Sequence, residues 1–186
     1  KVLLVGDILS ETLQKTIPKF VEKYNLKKDK FYAIYAGNIG NMQNVEIVVN
    51  AAKELQNHED IQFLIIGEGV RKEAIEKMAQ GLKNVTMLPM QPNEIATHIY
   101  SAAGVNIIPL VPGGTKTAMP SKTGVALSCG QPVIFCFDSS ERVIKVVEKS
   151  KAGAVVNPKD APALATEILK LVTKENKVKE FGLFHS

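Results

Sequence analysis

The residues of this chain best suited to phosphate chemistry are Pro120, Ser121 and Lys122, which open a short helical stretch before a buried strand. Proline suits the first turn of a helix, because its missing N–H would be unpaired there anyway. Ser121 adds a hydroxyl to the free N–H groups of a helix start, and Lys122 adds a positive charge. A diphosphate favours all three kinds of group. The alternative is an ordinary helix start between two core strands.

A second candidate for phosphate binding is the turn Gly37-Asn38-Ile39-Gly40, which follows an apolar run. Glycines let the backbone approach a phosphate closely, although Gly37 also fits an ordinary turn. The spacing differs from the dinucleotide motif G-x-G-x-x-G, and no acidic residue closes the next strand, so NAD is disfavoured. Gln43, at the start of the next helix, is either a ligand contact or a solvated side chain.

Two further glycine-rich stretches lie where a ligand would be expected. Gly67-Glu68-Gly69 with Arg71 places both signs of charge beside a turn, as either a polar pocket wall or a surface charge pair. Gly113-Gly114, which leads towards Pro120, either closes over a ligand or is a flexible connection. Both stretches are therefore candidates for ligand contact, with a purely structural alternative for each.

No catalytic base, nucleophile or metal site is predicted. Glu68, Asp138 and Glu141 are the carboxylates expected near a ligand, and none is paired with a histidine in the sequence pattern. The histidines are scattered, and Cys129 and Cys136 lack the C-x-x-C spacing of metal or redox sites. The cysteines are predicted to be reduced core residues, and no metal or cofactor is expected.

The composition is that of a globular chain with a mild positive charge. Of its 186 residues, 45% are hydrophobic and 23% are charged, and the net charge is +4. This charge suits an anionic small ligand or a peripheral contact with acidic lipid headgroups, but it is too dispersed to indicate nucleic acid binding. No apolar run approaches the ~20 residues of a membrane span, so we predict a cytoplasmic protein that contacts a membrane only at its surface.

The candidate residues are positioned by alternating strands and helices. Strands are predicted at 31–36, 61–66, 85–88, 105–108, 133–137 and 153–156, and helices at about 45–55, 70–80, 92–101 and from Asp160, a good N-cap, to 172. Apolar runs without polar alternation indicate strands covered on both faces. We therefore predict an α/β fold with a Rossmann-like, doubly wound parallel sheet of six strands. Ligands of such sheets bind at the carboxyl ends of the strands.

Six motifs follow one another in the chain: Tyr35-Ala36-Gly37-Asn38-Ile39-Gly40 with Gln43, then 63–69, 84–89, 120–122, 129–134 and 153–160. In this order they resemble the C-terminal, donor-binding half of GT-B-fold glycosyltransferases of family 4. The resemblance is closest to bacterial members that assemble envelope polysaccharides and O-antigens, and it covers about residues 31–173. It implies that 31–175 bind a nucleotide sugar. Residues 1–30 are predicted to form a strand and a helix that join a missing N-terminal domain, and 176–186 are predicted to be a truncated tail.

The resemblance also implies a reaction. The substrate would be a nucleotide-diphosphate sugar, bound without a metal, and the sugar would pass to a polysaccharide or lipid-linked acceptor with retention of configuration. Lys122 would stabilise the departing diphosphate, while Gly37, Gly40 and Ser121 would offer backbone or hydroxyl donors. The base is expected against 67–69 and 88–91, and the sugar near 115–117. The implied donor-binding residues are Gly37, Asn38, Gly40, Gln43, Gly67, Glu68, Arg71, Pro89, Met90, Thr117, Pro120 and Ser121.

One departure from the family pattern bears on activity. The family often carries two glutamates eight residues apart, and the second holds the ribose of the donor. The corresponding positions here are Thr117 and Val125, neither of which is a carboxylate. Two alternatives to a glycosyltransferase therefore remain: a binding domain of the same fold without turnover, or an epimerase, although the carboxylate and histidine pairing that an epimerase needs is not found.

Overall fold

The computed structural model of the chain describes residues 21–27, 29–114, 122–139, 144–145, 147, 149 and 153–182. The described strands are β1 Phe31–Ala36, β2 Ile61–Ile66, β3 Val85–Leu88, β4 Val105–Pro109, β5 Val133–Cys136 and β6 Gly153–Val156. The described helices are α1 Glu46–Glu54, α2 Lys72–Ala79, α3 Ala96–Ser101, α4 Lys122–Ser128 and α5 Ala161–Gly182, with a 3₁₀ turn at Asn93–Ile95.

These strands form one parallel sheet in the order β3-β2-β1-β4-β5-β6. Along the chain, β2 and β3 are added on one side of β1, and β4, β5 and β6 are then added on its other side. In doubly wound sheets the ligand crevice opens at this reversal, outside the carboxyl ends of the strands. The predicted fold class is confirmed, and each strand ends within one residue of its predicted bounds.

Both faces of the sheet are covered, which explains the apolar runs of the strands. Ala33, Tyr35 and Phe63 pack in a core that includes residues of α1, α2 and α5. Their neighbours Ile34 and Leu64 point to the opposite face, since successive strand side chains alternate, and pack with Ile99 of α3. A third cluster joins β5 to α4. Burial on both faces leaves little place for polar residues along the central strands.

The helix ends follow local chemistry. Asp160 caps α5 as predicted: its Oδ1 accepts a hydrogen bond of 2.8 Å from the N–H of Ala163. The helix predicted from Pro92 is shorter than expected, because the Pro92 carbonyl accepts from the N–H of Ile95, three residues on, in a 3₁₀ turn. None of the helices in the described part of the chain has the length and apolarity needed to cross a bilayer.

The cysteines agree with the prediction of reduced thiols. Cys136 is fully buried in β5, and Cys129 is partly buried after α4; both are free. Burial raises the pKa of the Cys136 thiol well above its ordinary value, because the thiolate would lose its hydration. Cys136 therefore behaves as a small apolar core residue.

Asn44 ties three loops together at the carboxyl edge of the sheet. Its Nδ2 donates to the carbonyl of Pro158 after β6, at 2.8 Å, and to that of Leu110 after β4, at 3.3 Å. Its own backbone has a positive φ of 44°, a conformation that asparagine adopts more readily than most residues. The loop after β1 is thus held against two strands distant in sequence.

We expect Asn44→Ala to lower the free energy of unfolding by about 2 to 3 kcal/mol, because it removes two hydrogen bonds and leaves a Cβ at positive φ. Asn44→Gly removes the same bonds but accepts the conformation, so its loss should be smaller. Urea denaturation of both variants measures the difference. A loss for Asn44→Ala below about 0.5 kcal/mol would contradict this role, since surface substitutions without a structural role fall in that range.

Candidate functional site

A cavity of about 430 Å³ opens at the carboxyl edge of the sheet. Its floor comes from the ends of β1 and β2, and its walls come from the loop after β3 and from α3 and α4. The lining residues are Ala36, Gly37, Asn38, Ile66, Met90, Gln91, Asn93, Ile99, Tyr100 and Val125. Most are apolar, and three are amides. Such a cavity suits a flat apolar group with hydrogen-bonding edges.

The glycine turns after β1 and β2 pack directly against each other next to this cavity. A Cβ on Gly67 would lie 1.8 Å from the carbonyl oxygen of Gly37, and one on Gly69 would lie 2.3 Å from that of Ile39. Hydrogen bonds join the same turns: the N–H of Gly37 donates to Ile66, and the N–H of Ile39 donates to Glu68, each at 2.7 Å. The two loops can approach this closely only because Gly67 and Gly69 carry no side chain.

This geometry corrects one expectation about Gly37. Its N–H is already used in the bond to the Ile66 carbonyl, so it is not available to a phosphate. The pairing of β1 with β2 continues one residue beyond the strands and takes up that donor. Gly37 still lines the cavity, where its missing side chain leaves space for a ligand.

Three polar side chains of the wall are held by hydrogen bonds. Gln91 accepts at Oε1 from the hydroxyl of Tyr24, at 2.9 Å, and donates from Nε2 to the carbonyl of Pro89, at 2.7 Å. The hydroxyl of Tyr100 donates to the carbonyl of Ala36, at 3.1 Å. Asn38 donates to Oε1 of Gln43 over 3.4 Å. These contacts orient Gln91 and Asn38 before any ligand arrives.

Burial raises the pKa of Tyr100 from 10.0 to about 12, with a smaller contribution from Cys129, so its hydroxyl stays protonated well above the pH at which an exposed tyrosine ionises. The unfolded chain releases this proton near pH 10, before the folded chain does. We therefore expect the contribution of Tyr100 to stability to be complete below pH 10 and to be lost as the pH rises to about 12.

Denaturation curves measured at intervals from pH 8 to pH 12 check this expectation. Tyr35 is also buried, and burial raises its pKa as well, so the parent protein should lose stability through both groups. Tyr100→Phe removes one of them and should give a shallower loss with pH, even if it lowers stability at every pH by breaking the bond to Ala36. If the free energy of unfolding falls equally with pH in the parent protein and in Tyr100→Phe, Tyr100 is not a buried group with a raised pKa.

The predicted charged residues of the second turn are paired with neighbours rather than with each other. Nη2 of Arg71 lies 2.6 Å from Oε1 of Glu46 in α1, and Oε1 of Glu68 lies 2.7 Å from Nζ of Lys72 in α2. Neither Arg71 nor Glu68 is among the residues that line the cavity. Both side chains are partly exposed, so their ion pairs contribute little to stability and leave them able to contact a ligand.

The other predicted residues divide between the cavity and its surroundings. Asn38 and Met90 line it, and Pro89 holds Gln91 through its carbonyl. Gly40 and Gln43 lie in the loop next to Asn38, where a Cβ on Gly40 would lie 2.7 Å from Oε1 of Gln43. The predictions for Thr117, Pro120, Ser121 and the Lys122 side chain lie outside the described residues, and so does the helix start predicted at Pro120; α4 is described from Lys122 onwards.

The loop after β4 leads from the sheet towards α4, and its base is anchored. The N–H of Val111 donates to the carbonyl of Met42, at 3.0 Å, and the N–H of Gly113 donates to the carboxylate of Asp138 after β5. Asp138 therefore has a structural partner at this edge. Within the described part of the chain, no three His, Cys, Asp or Glu side chains are grouped so as to hold a metal ion.

Sequence reasoning missed five lining residues: Ala36, Ile66, Asn93, Ile99 and Tyr100. Ile66 and Ile99 looked like core residues, and both are at most 2% exposed. Tyr100 gave a weak signal, since a tyrosine among apolar helix residues needs a partner for its hydroxyl. That partner is Ala36, sixty-four residues earlier in the chain, which periodicity does not reveal.

The sequence matches the family described as "Glycosyl transferases group 1" over residues 30–174. It is 30% identical over 159 residues to WcaI of Escherichia coli (strain K12), which is named as a colanic acid biosynthesis glycosyl transferase. That match covers 83% of this chain but 39% of WcaI, so the chain spans about two fifths of this relative's length.

Solved structures agree on the fold. A sucrose-phosphate synthase from Thermosynechococcus elongatus superimposes with a TM-score of 0.65 at 23% identity, over 82% of this chain and 39% of that one. WaaG, a glycosyltransferase involved in lipopolysaccharide biosynthesis, superimposes with a TM-score of 0.63 at 15% identity, over 86% of this chain and 42% of WaaG. The sheet described above is thus shared with the C-terminal halves of GT-B proteins. With a family match over most of its length and the fold of that family, this chain belongs to the group 1 glycosyltransferases.

Proposed function

We propose that this chain is the donor-binding part of a glycosyltransferase that moves a sugar from a nucleotide diphosphate to a polysaccharide or lipid-linked acceptor. The observation that carries the proposal is the cavity at the carboxyl edge, which combines apolar walls with oriented amides. Its volume of about 430 Å³ lies in the range of small-molecule sites. An N-terminal domain would close the cleft, and the net charge of +4 would favour contact with acidic headgroups at a cytoplasmic membrane surface.

The proposed transfer is a substitution at the sugar carbon. The bond from that carbon to the diphosphate oxygen breaks, a bond to an acceptor oxygen forms on the same face, and the acceptor hydroxyl passes its proton to the departing diphosphate. Negative charge grows on the departing diphosphate, so nearby donors lower the barrier. We assign this stabilisation to the ammonium of Lys122, the hydroxyl of Ser121 and the N–H of Gly40.

The remaining predicted residues are proposed to hold the rest of the donor. The nucleobase would lie in the cavity against Asn38, Met90 and the Pro89 loop, where apolar walls and amides suit a heterocycle. Gln43, Gly67, Glu68 and Arg71 would border the diphosphate and base from the turns after β1 and β2. Thr117 and Pro120 would lie by the sugar and diphosphate, as the family resemblance implies.

A pair of tryptophan substitutions tests whether the cavity is the binding site. Val125 and Leu127 lie in the same helix and are 37% and 41% exposed, but only Val125 is among the lining residues. Val125→Trp should fill the cavity and weaken nucleotide binding by about tenfold or more, the effect of losing one well-placed contact group. Leu127→Trp should leave binding unchanged.

The measurement is calorimetric titration of the intact protein with UDP, GDP and UDP-sugars. Binding of at least one nucleotide, weakened only by Val125→Trp, supports the proposal. Absence of binding by every nucleoside diphosphate, or equal weakening by both variants, would rule out the cavity as a donor site.

A second candidate function is binding without turnover. It is favoured by Val125, an apolar residue in the cavity wall at the position where the family often has a glutamate. Valine cannot accept a hydrogen bond from a hydroxyl. A protein that binds a nucleotide sugar but releases no nucleoside diphosphate in the presence of membrane-derived acceptors would have this function instead.

A further inference from the structure

We infer that the cavity does not discriminate strongly between ribonucleotides and deoxyribonucleotides, and that Val125 is the residue responsible. This inference rests on the proposed function, since it concerns how the same cavity holds a nucleoside. It predicts that a 2′-deoxynucleoside diphosphate binds almost as well as its ribose counterpart.

The first observation is that none of the described side chains lining the cavity is a carboxylate. The sequence reinforces it: residues 95–137, which supply α3, β4, α4 and β5, contain no Asp or Glu. Glu94 precedes this stretch, and its side chain lies outside the described residues. On the same edge, Glu68 pairs with Lys72, and Asp138 accepts from Gly113. Glu141, the third carboxylate expected there, lies outside the described residues.

The second observation concerns the acceptors that remain. A ribose hydroxyl donates its proton, so it needs an acceptor in the wall. The acceptors of the described wall are neutral. Oε1 of Gln91 and the carbonyl of Ala36 accept one hydrogen bond each, from Tyr24 and Tyr100, and each keeps a second lone pair. The side-chain amide oxygens of Asn38 and Asn93 are neutral as well.

The strength of a neutral hydrogen bond sets the expected discrimination. Removing a hydroxyl that meets a neutral amide weakens binding by about tenfold or less, whereas losing a bond to a charged group costs up to about a hundredfold. Sites built around a specific hydroxyl contact reject analogues that lack it, and apolar walls do not. The wall at Val125 is apolar, and Ile66 and Ile99 also line the cavity.

The test compares matched pairs of nucleotides on the intact protein. The dissociation constants of UDP and dUDP, GDP and dGDP, ADP and dADP, and CDP and dCDP are measured by calorimetry. For the base that binds most tightly, we expect the 2′-deoxy form to bind within about tenfold of the ribose form. A preference for ribose above about thirtyfold overturns the inference while leaving the proposed function intact.

Two glutamate substitutions separate the role of Val125 from an effect of charge. Val125→Glu places a carboxylate in the cavity wall and should raise the preference for ribose several-fold above the parent protein. Leu127→Glu adds the same charge to the same helix outside the wall and should leave the preference unchanged. If both change the ratio equally, Val125 is not the residue responsible. If no nucleotide of any pair binds, the inference and the proposed function both fail.

Discussion

Replacing Lys122 with alanine is expected to lower the rate of sugar transfer by roughly a hundredfold or more, the usual loss when one transition-state donor is removed. α4 is described from Lys122 onwards, and a helix start and an ammonium group each favour negative charge. That charge develops on the diphosphate as the sugar leaves. The effect should therefore appear mainly in kcat, with a smaller change in KM.

The measurement is the release of nucleoside diphosphate with a saturating acceptor, together with the dissociation constant of the free nucleotide. Lys122→Arg, which retains the charge but changes its shape, should recover part of the rate. Lys77→Ala is the control, since Lys77 is an exposed lysine of α2 that pairs with Glu73. An unchanged kcat for Lys122→Ala would remove this residue from the mechanism and leave the charge of the diphosphate without an assigned partner.

Gly67→Ala is expected to have the largest effect on folding, with a loss of about 3 kcal/mol in the free energy of unfolding. The new Cβ would lie 1.8 Å from the carbonyl oxygen of Gly37, so backbone has to move rather than a flexible side chain. This movement would displace the turn after β1, which lines the cavity through Gly37 and Asn38. Nucleotide binding should therefore weaken even in the fraction that folds.

Two other glycines provide matched controls for denaturation and nucleotide titration. A Cβ on Gly153, at the start of the edge strand β6, would lie 1.7 Å from the carbonyl oxygen of Val133, so Gly153→Ala should destabilise the sheet without changing affinity. A Cβ on Gly124 in α4 would meet nothing within 4 Å, and Gly124→Ala should stabilise the helix by about 0.5 to 1 kcal/mol. If folded Gly67→Ala protein binds nucleotide as tightly as the parent protein, the position of this turn does not determine the shape of the cavity.

Local signals explain how much of the fold could be predicted. The run from Phe31 to Ala36 is apolar because it is covered on both sides, and this property is visible in the residues themselves. The same is true of Asp160, whose capping depends on an N–H only three residues away. Helix lengths were less predictable, because a 3₁₀ turn replaces the first turn expected after Pro92.

The candidate site was predictable only in part, because its contacts join distant residues. The glycine turns and the loop at Pro89 and Met90 were expected at the carboxyl edge from the order of the strands. The roles of Tyr100 and Gln91 were not, since their partners Ala36 and Tyr24 lie 64 and 67 residues away. The use of the Gly37 N–H by Ile66 likewise depends on the pairing of two strands.

The stretch from Pro120 to Lys122 remains the strongest prediction of phosphate binding that can be made from residue types, and the strand pattern was enough to establish the parallel sheet. Burial and periodicity act over a few neighbouring residues, so these features can be read along the chain. The cavity is different. Its neutral wall exists because β1, β2, α3 and α4 converge on one point, and that convergence brings Val125 beside Asn38 and Gln91. Packing of elements far apart in sequence creates that chemistry, and it has no counterpart in any single stretch of residues.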